Sequence, residues 1–238
     1  MPDRMVLERM LQSQGFGSRR ECRQLVRAGR FQLAGRVEED PFLELPTGDL
    51  DFVVDGQPWR YREKAYVMLN KPAGYECSRA PRHHPGVLSL LPGPLAGRGV
   101  QPVGRLDEDT TGLLLLSDDG EFIHRLISPR HKVAKLYRVT VRHPLDSAQI
   151  AALRRGVLLH DAPEPVSALA CEQTGERLLM LTLAEGRYHQ VKRMVAAAGN
   201  RVEALARVAV GGLVLPADLP AGAWRWLESE DLAKFLAQ

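Results

Sequence analysis

The chain has 238 residues, more than one typical domain of roughly 100–200 residues and fewer than three. With 45% hydrophobic and 26% charged residues it matches a globular protein rather than a collagen-like, coiled-coil or disordered one. Its net charge of only +3 conceals two basic stretches: Phe16 to Arg36 holds six Arg against one acid, and Glu121 to Pro144 holds six Lys or Arg and three His against one acid.

No run of apolar residues exceeds five, far short of the roughly 20 of a membrane-spanning helix. The opening MPDRMVLERM lacks the apolar core of a secretory signal. Cys22, Cys77 and Cys171 are odd in number, far apart and without CxxC spacing, so neither a disulfide framework nor a zinc site is expected. These features together lead to the expectation of a soluble cytoplasmic protein.

In chain order, a short helix around Val6 to Leu11 comes first. Ser18-Arg19-Arg20-Glu21 reads as a capping box, in which the Ser18 hydroxyl accepts from one helix-end N–H and Glu21 reaches back to another. The helix that follows is expected to run to about Ala28 and stop at Gly29, which suits a left-handed cap. Cys22, Leu25 and Val26 share its inner face. Arg19, Arg23, Arg27 and Arg30 fall at i, i+4, i+8 and i+11 along another face, guanidinium groups about 6 Å apart that suit a phosphate backbone. Phe31 to Val37 is expected as a strand turning at Ala34-Gly35.

Asp55 to Arg62 reads as a linker, and Ala65 to Asn70 as an apolar strand running into Lys71-Pro72-Ala73-Gly74. Ser78 to Pro102, rich in Pro, Gly and basic residues, reads as a mobile surface segment able to clamp a ligand. His83 and His84 adjoin without a third well-spaced ligand, so no metal site is expected there. Gly104 to Gly120 is a polar turn presenting Arg105 and Asp107, then an apolar strand from Leu113 to Leu116, then turn chemistry at Ser117-Asp118-Asp119-Gly120. A strand from Lys135 to His143 puts Lys135, Tyr137 and Val139 on one face. Asp146 caps a helix to about Arg155, and Arg177 to Ala184 alternates as a strand. As a helix, Tyr188 to Ala198 buries Val191, Met194, Val195 and Ala198, leaving His189, Lys192, Arg193 and Ala196 on a different, largely basic face.

The stretch QGFGSRRECRQLVRAGRFQLAGRV resembles the S4 RNA-binding domain. It departs from it at Arg4-Met5-Val6-Leu7, where that family opens Arg-Leu-Asp-Lys, and at Ala34, where it has Asn before Gly. Three further motifs are Leu69 to Gly74 (LNKPAG), Gly104 to Gly120 (GRLDEDTTGLLLLSDDG) and Glu185 to Met194 (EGRYHQVKRM). Together they resemble the pseudouridine synthases of the RsuA branch, which also holds the RluB, RluE and RluF types. The tyrosine-histidine form of the third motif, and Ser128 to His131 (SPRH), look more like the small-subunit members. The resemblance implies an α+β protein with a small S4-like α/β RNA-binding domain and linker over 1–60. A catalytic domain built on a mixed, largely antiparallel sheet, with its cleft across the middle, is implied over 61–238.

The implied reaction breaks the C1′–N1 bond of a uridine in 16S rRNA, turns the uracil and joins C1′ to C5. It is redox-neutral and calls for no ATP, metal or nicotinamide, in keeping with the lack of GxxxxGK[ST], GxGxxG and metal spacing. The resemblance makes Asp107 the catalytic carboxylate and Lys192 the cation that keeps it charged beside a stacked base. Tyr137 becomes the aromatic that stacks on the extruded uracil. RNA contacts are expected from Arg105, which braces the turn or fills the gap left by the base, and from Arg187, Arg193 and Arg207, with Arg19, Arg23, Arg27 and Arg30 in the first domain. Ala209 stands where close relatives carry a basic residue. The expected partner is 16S rRNA or the assembling small subunit, with no membrane involved, and a monomer suffices. Other readings remain: the same chemistry on 23S rRNA, a non-catalytic rRNA-binding assembly factor, and a carboxylate-based N-glycosylase for which Glu108 and Asp109 are candidates by adjacency.

Overall fold

The computed structural model describes residues 4–48, 50–78, 80–128 and 130–235; Pro129 of the Ser128 to His131 segment lies outside them. The chain divides into two compact units, Met1–Ala65 with Leu91–Gln101, and Tyr66–Leu90 with Pro102–Gln238.

The first unit opens with β1 (Arg4–Val6), α1 (Leu7–Ser13) and α2 (Arg19–Arg27). The Ser18 hydroxyl accepts the Glu21 N–H at 3.3 Å while the Glu21 carboxylate accepts the Ser18 N–H at 2.7 Å, and Gly29 follows the helix at φ 68°. Cys22, Leu25 and Val26 bury against Leu7, Met10 and Leu11 of α1 and against Phe31 and Phe52. Each of the larger apolar side chains gains about 1.5–3 kcal/mol from burial. Next come β2 (Phe31–Leu33), β3 (Arg36–Val37), β4 (Glu44–Pro46), β5 (Asp51–Val54) and β6 (Gln57–Arg60). β4 pairs with β1, and the other four form an antiparallel sheet ordered β3-β2-β5-β6.

Two expectations for this region are corrected. Asp55 to Arg62 is a hairpin rather than a linker: Asp55 and Gly56, at φ 53° and 75°, turn β5 into β6. Asp-Gly between two strands is a strong hairpin signal, which the polar composition obscures. Pro58 lies on the edge strand, where a sheet tolerates it. The segment Ser78 to Pro102 also carries ordered structure, a 3-10 turn over Val87–Leu90 and α3 (Gly93–Gly97). Glu76 accepts the N–H groups of Arg82, His83 and His84, and Leu91, Leu95 and Val100 are buried. Within the first unit, a Cβ on Gly97 would lie 2.6 Å from the Gly15 carbonyl oxygen. Arg98 there donates to Gln14 Oε1 and to the carbonyls of Arg62 and Glu63 at 3.0–3.1 Å. Contacts this distant in sequence leave no trace in local composition.

The second unit is built on a mixed nine-stranded sheet. Its strands are β7 (Tyr66–Lys71), β8 (Gln101–Pro102), β9 (Thr111–Ser117), β10 (Lys135–Val141), β11 (Ala170–Gly175), β12 (Leu178–Leu183), β13 (Val202–Val210), β14 (Leu213–Val214) and β15 (Trp224–Trp226). The main path is β11-β12-β10-β13-β9-β7-β15. Neighbours along it are antiparallel except β13 and β9, which pair in parallel at Ala206 with Thr111 and Arg207 with Gly112. All four leucines from Leu113 to Leu116 are buried, as a continuous apolar run in a covered strand requires.

The turn expected at Ser117 to Gly120 starts a helix instead. Asp119 accepts the Glu121 N–H at 3.0 Å and caps α4 (Gly120–Ile127), which places Ile123 and Leu126 on the sheet. α5 (Ser147–Arg155), capped by Asp146, α6 (Gln190–Ala197) and α7 (Ser229–Ala233) complete the unit. Among the described residues no helix is long and apolar enough to cross a membrane.

The β2–β3 turn supplies a stability test. Ala34 at φ 49° and Gly35 at φ 77° both occupy the left-handed region, as such a hairpin demands, and an alanine there costs about 1–2 kcal/mol. Ala34→Asn should raise the unfolding free energy by about 0.5–1 kcal/mol, because Asn tolerates that backbone. An unchanged or lower urea midpoint would show that the turn is not strained.

Candidate active site

β7 ends in Lys71, whose side chain is completely buried. Its ammonium donates to the carbonyl oxygens of Pro72 at 3.0 Å, Glu108 at 2.9 Å and Thr110 at 2.9 Å. The Gly74 N–H adds a second bond to the Glu108 carbonyl at 3.0 Å, and the Thr110 N–H closes on the Asp107 carbonyl at 3.1 Å. Burial pushes the Lys71 ammonium below its ordinary range, against the pull of nearby acidic groups. The motif around Lys71-Pro72 and the motif around Asp107 are therefore one physical object. The lysine of the first grips the backbone on the C-terminal side of the carboxylate of the second.

α6 brings in the cation. Val191, Met194 and Val195 bury its inner face, and Lys192 points its Nζ to 3.0 Å from Asp107 Oδ2 and 2.6 Å from Asp109 Oδ1. Burial by itself would lower the Lys192 pKa, but the two carboxylates outweigh it and hold the ammonium above its usual value. His189 sits on the other side, its Nε2 3.4 Å from Asp107 Oδ1. It occupies a left-handed conformation at φ 47° just before α6, and its ring stacks on that of exposed Tyr188 at 3.8 Å between centroids. Asp109 was expected near the carboxylate only by adjacency, in the N-glycosylase reading, and His189 was not expected there; its one signal is spacing, about one helical turn before Lys192.

Tyr137 lies on β10, buried, opposite Leu181 of β12 and Arg207 of β13. Two adjoining cavities share Arg105, Tyr137, Gly186 and Arg187. The smaller, about 70 Å³, is lined further by Asp107, Thr110 and His189. The larger, about 180 Å³, extends to Lys135 and Arg207. The three expected catalytic residues thus gather in one place, Asp107 with Lys192 by direct contact and Asp107 with Tyr137 across a shared cavity.

Gly112 helps to hold this arrangement. A Cβ there would lie 2.2 Å from the Arg207 carbonyl oxygen, so the parallel pairing of β9 and β13 requires glycine.

The eight arginines expected to meet RNA are disposed unequally. Arg23 is spent on an ion pair with Glu8, reinforced by Nη2 to Oε1 at 3.0 Å, and lies 5.4 Å over the Phe42 ring. Arg30 makes a two-pronged pair with Asp55, both bonds 2.6 Å. Arg19 has only a bond to Gln12 at 3.2 Å, and Arg27 is exposed with no hydrogen bond or ion pair among the described residues. The row of four is therefore half neutralised by acids that lie apart from it in sequence. Arg193 does not face solvent for a phosphate: its Nη1 meets Asp161 at 2.5 Å while its Nε and Nη2 are buried. Arg207 is 3% exposed and donates Nε to the Leu113 carbonyl at 2.8 Å, so it lines the larger cavity instead of the outer surface. Arg187 pairs with Glu185 at 2.9 Å. Arg105 is exposed, lines both cavities and has no partner among the described residues. Ala209 is buried, opposite Leu136 and Val214.

A family model described as RNA pseudouridylate synthase matches residues 65–197. The chain is 39% identical over 231 residues to ribosomal small subunit pseudouridine synthase A of Escherichia coli K12, covering 96% of this chain and 99% of that protein. It is 40% identical over 230 residues to the protein of the same name from Yersinia pestis, covering 96% and 97%. Among solved structures, a pseudouridylate synthase crystal structure superposes with a TM-score of 0.69 at 34% identity, covering 96% of this chain and 98% of that one.

The Lys71 clamp makes a prediction about stability. Lys71→Met leaves three carbonyl oxygens without that donor and should lower the unfolding free energy by about 2–3 kcal/mol. Urea denaturation measures it, and a loss below about 1 kcal/mol would mean that the Asp107 loop does not depend on the ammonium.

Proposed function

Because this chain belongs to the RsuA-type branch of the RNA pseudouridylate synthase family, and is an RNA pseudouridine synthase, we propose that it isomerises a uridine of 16S rRNA with Asp107 as its catalytic carboxylate. The observation that supports the assignment is the Asp107 carboxylate, 3.0 Å from the Lys192 ammonium, in the wall of a cavity that buried Tyr137 shares. The small-subunit target rests on the names of relatives 39–40% identical over nearly the full chain.

In this reading the carboxylate acts at the ribose. It attacks C1′, stabilises positive charge there or removes the 2′ proton, and each route frees uracil from C1′. The uracil turns, C1′ joins C5, and the C5 proton leaves while N1 gains one, so atoms and electrons balance without a cofactor. Lys192 compensates the carboxylate's charge, an interaction that strengthens as RNA displaces water from the cleft. Tyr137 stacks on the extruded base, and its hydroxyl is the group to take the C5 proton. Arg105, which makes no hydrogen bond or ion pair among the described residues, fills the gap that the base leaves.

The first unit serves as the S4-like RNA-binding element, with Arg19 and Arg27 as its available phosphate contacts. The partner is 16S rRNA or the assembling small subunit, and the protein acts as a monomer in the cytoplasm. An N-glycosylase would want a second carboxylate free for acid–base work. Asp109 is a poor candidate, because Lys192 holds it at 2.6 Å.

Tritium release from 16S and 23S rRNA transcripts labelled at uridine C5 tests the chemistry and the target. Release from 16S rRNA alone, abolished in Asp107→Asn with RNA binding retained, is the expected result. Release from 23S rRNA would redirect the target, and turnover by Asp107→Asn would remove the carboxylate from the chemistry. Tyr137→Phe should keep RNA affinity while slowing the reaction by about 10²–10⁴-fold, the usual contribution of a general acid or base. A wild-type rate would confine Tyr137 to stacking.

A further inference from the structure

The larger cavity beside Tyr137 has two cations that the isomerisation does not use. Arg207 is 3% exposed and spends only Nε on a protein acceptor; the rest of its guanidinium has no partner among the described residues. Lys135, half-buried on the same wall, gives one proton to the Val133 carbonyl at 2.9 Å. Burial, and then the charge of Arg207, push the Lys135 ammonium down to about 8, with Glu185 acting the other way. Glu185 is itself engaged by Arg187 at 2.9 Å. Val103, Leu115, Leu126 and Val210 line the cavity with apolar surface, which strengthens any charge interaction inside it.

Glu185 is the carboxylate in this lining and Arg187 already pairs with it, so two further desolvated cations side by side are costly, and the cost is removed when a ligand brings negative charge. A nucleobase is neutral and would leave the charge standing. A phosphodiester brings one negative charge and two non-bridging oxygens, matching the donors left over on Arg207 and Lys135.

We infer that this 180 Å³ cavity is a phosphate subsite, in which Arg207 and Lys135 hold a phosphodiester of the substrate strand next to the target nucleotide. The inference rests on the reading of the Asp107 cleft as the isomerising site, because the two cavities share Arg105, Tyr137, Gly186 and Arg187. Lys135 and Arg207 are then positioning residues. They set the ribose of the target against Asp107 by gripping the backbone beside it, and take no part in the bond changes.

Two measurements test this on the full chain. Ethylation interference on 16S rRNA identifies phosphates whose neutralisation blocks binding. One or two adjacent phosphates, beside the uridine that the wild-type protein converts, should disappear from the pattern of Lys135→Met and return in Lys135→Arg. The same Met variant should lose about 0.7–0.9 from the slope of log affinity against log salt, the share of one phosphate contact. Identical patterns for wild type and Lys135→Met, or lost phosphates remote from the converted uridine, would overturn the proposal. The loss and return of phosphates needs binding and not turnover, and only their placement uses the converted uridine: failure to convert any uridine sinks the reading of Asp107, whereas a pattern unchanged by Lys135→Met overturns the phosphate subsite.

The second measurement uses inorganic phosphate as the probe. It should protect Lys135 from acetic anhydride, read by peptide mass spectrometry, in the wild type and not in Arg207→Gln. Protection accompanied by unchanged interference would assign the cavity to free phosphate and overturn the RNA assignment. Absence of protection in the wild type would remove the anion site, whether or not Arg207→Gln folds.

Discussion

The candidate site depends on a buried ammonium that makes no ion pair with a carboxylate among the described residues. Lys71 is tolerable inside the second unit only because three backbone carbonyls, from Pro72, Glu108 and Thr110, take its protons. Two of those carbonyls belong to the loop that presents Asp107, so the loop cannot drift without stripping a buried charge of its partners. Lys71 is also the last residue of β7, which lies between β9 and β15 in the sheet. The position of the Asp107 carboxylate is thereby tied to the rigid part of the unit, and Lys192 can meet it at 3.0 Å from a different element. In the proposed reading, a carboxylate held in this way needs little reorganisation before it reacts, which is where pre-placed groups gain their advantage.

The second constraint is the parallel contact of β13 with β9. Because Gly112 has no side chain, the backbone of Arg207 comes against it, and Arg207 enters the sheet opposite Tyr137. The same register that positions Tyr137 therefore buries a guanidinium beside it. Of the two adjoining cavities, one is lined by Asp107 and the other by Lys135 and Arg207. Under the proposed reading, this division lets backbone binding remote from the reacting bond supply orientation at it.

In the first unit electrostatics work largely against a simple count of arginines. Arg23 and Arg30 are neutralised by Glu8 and Asp55, which fix the helix and the hairpin in place. The Arg30–Asp55 pair is exposed on both sides and so contributes little to stability. The larger effect of both pairs is to remove two cations from the pool available to phosphate, so RNA affinity must draw on fewer groups than composition implies.

Local chemistry was legible in the amino-acid sequence. The capping box at Ser18, the cap at Asp146, the buried face of Cys22, Leu25 and Val26, the leucine run from Leu113 to Leu116 and the strand bearing Tyr137 all follow from interactions within a few residues, which a linear pattern records. The motif resemblance added the pairing of Asp107 with Lys192, 85 positions apart, which no periodicity could supply. The hairpin at Asp55-Gly56 and the helix after Asp119 were written in short signals that polar composition masked. Only the tertiary structure decided the rest: the burial of Lys71, the packing of Leu91–Gln101 into the first unit, the withdrawal of Arg193 onto Asp161, and the burial of Arg207 on the wall it shares with Lys135. The reason is physical. A cap or an apolar stripe is satisfied by its own neighbours, whereas the state of a charged side chain is set by whichever groups the fold brings to it from elsewhere in the chain.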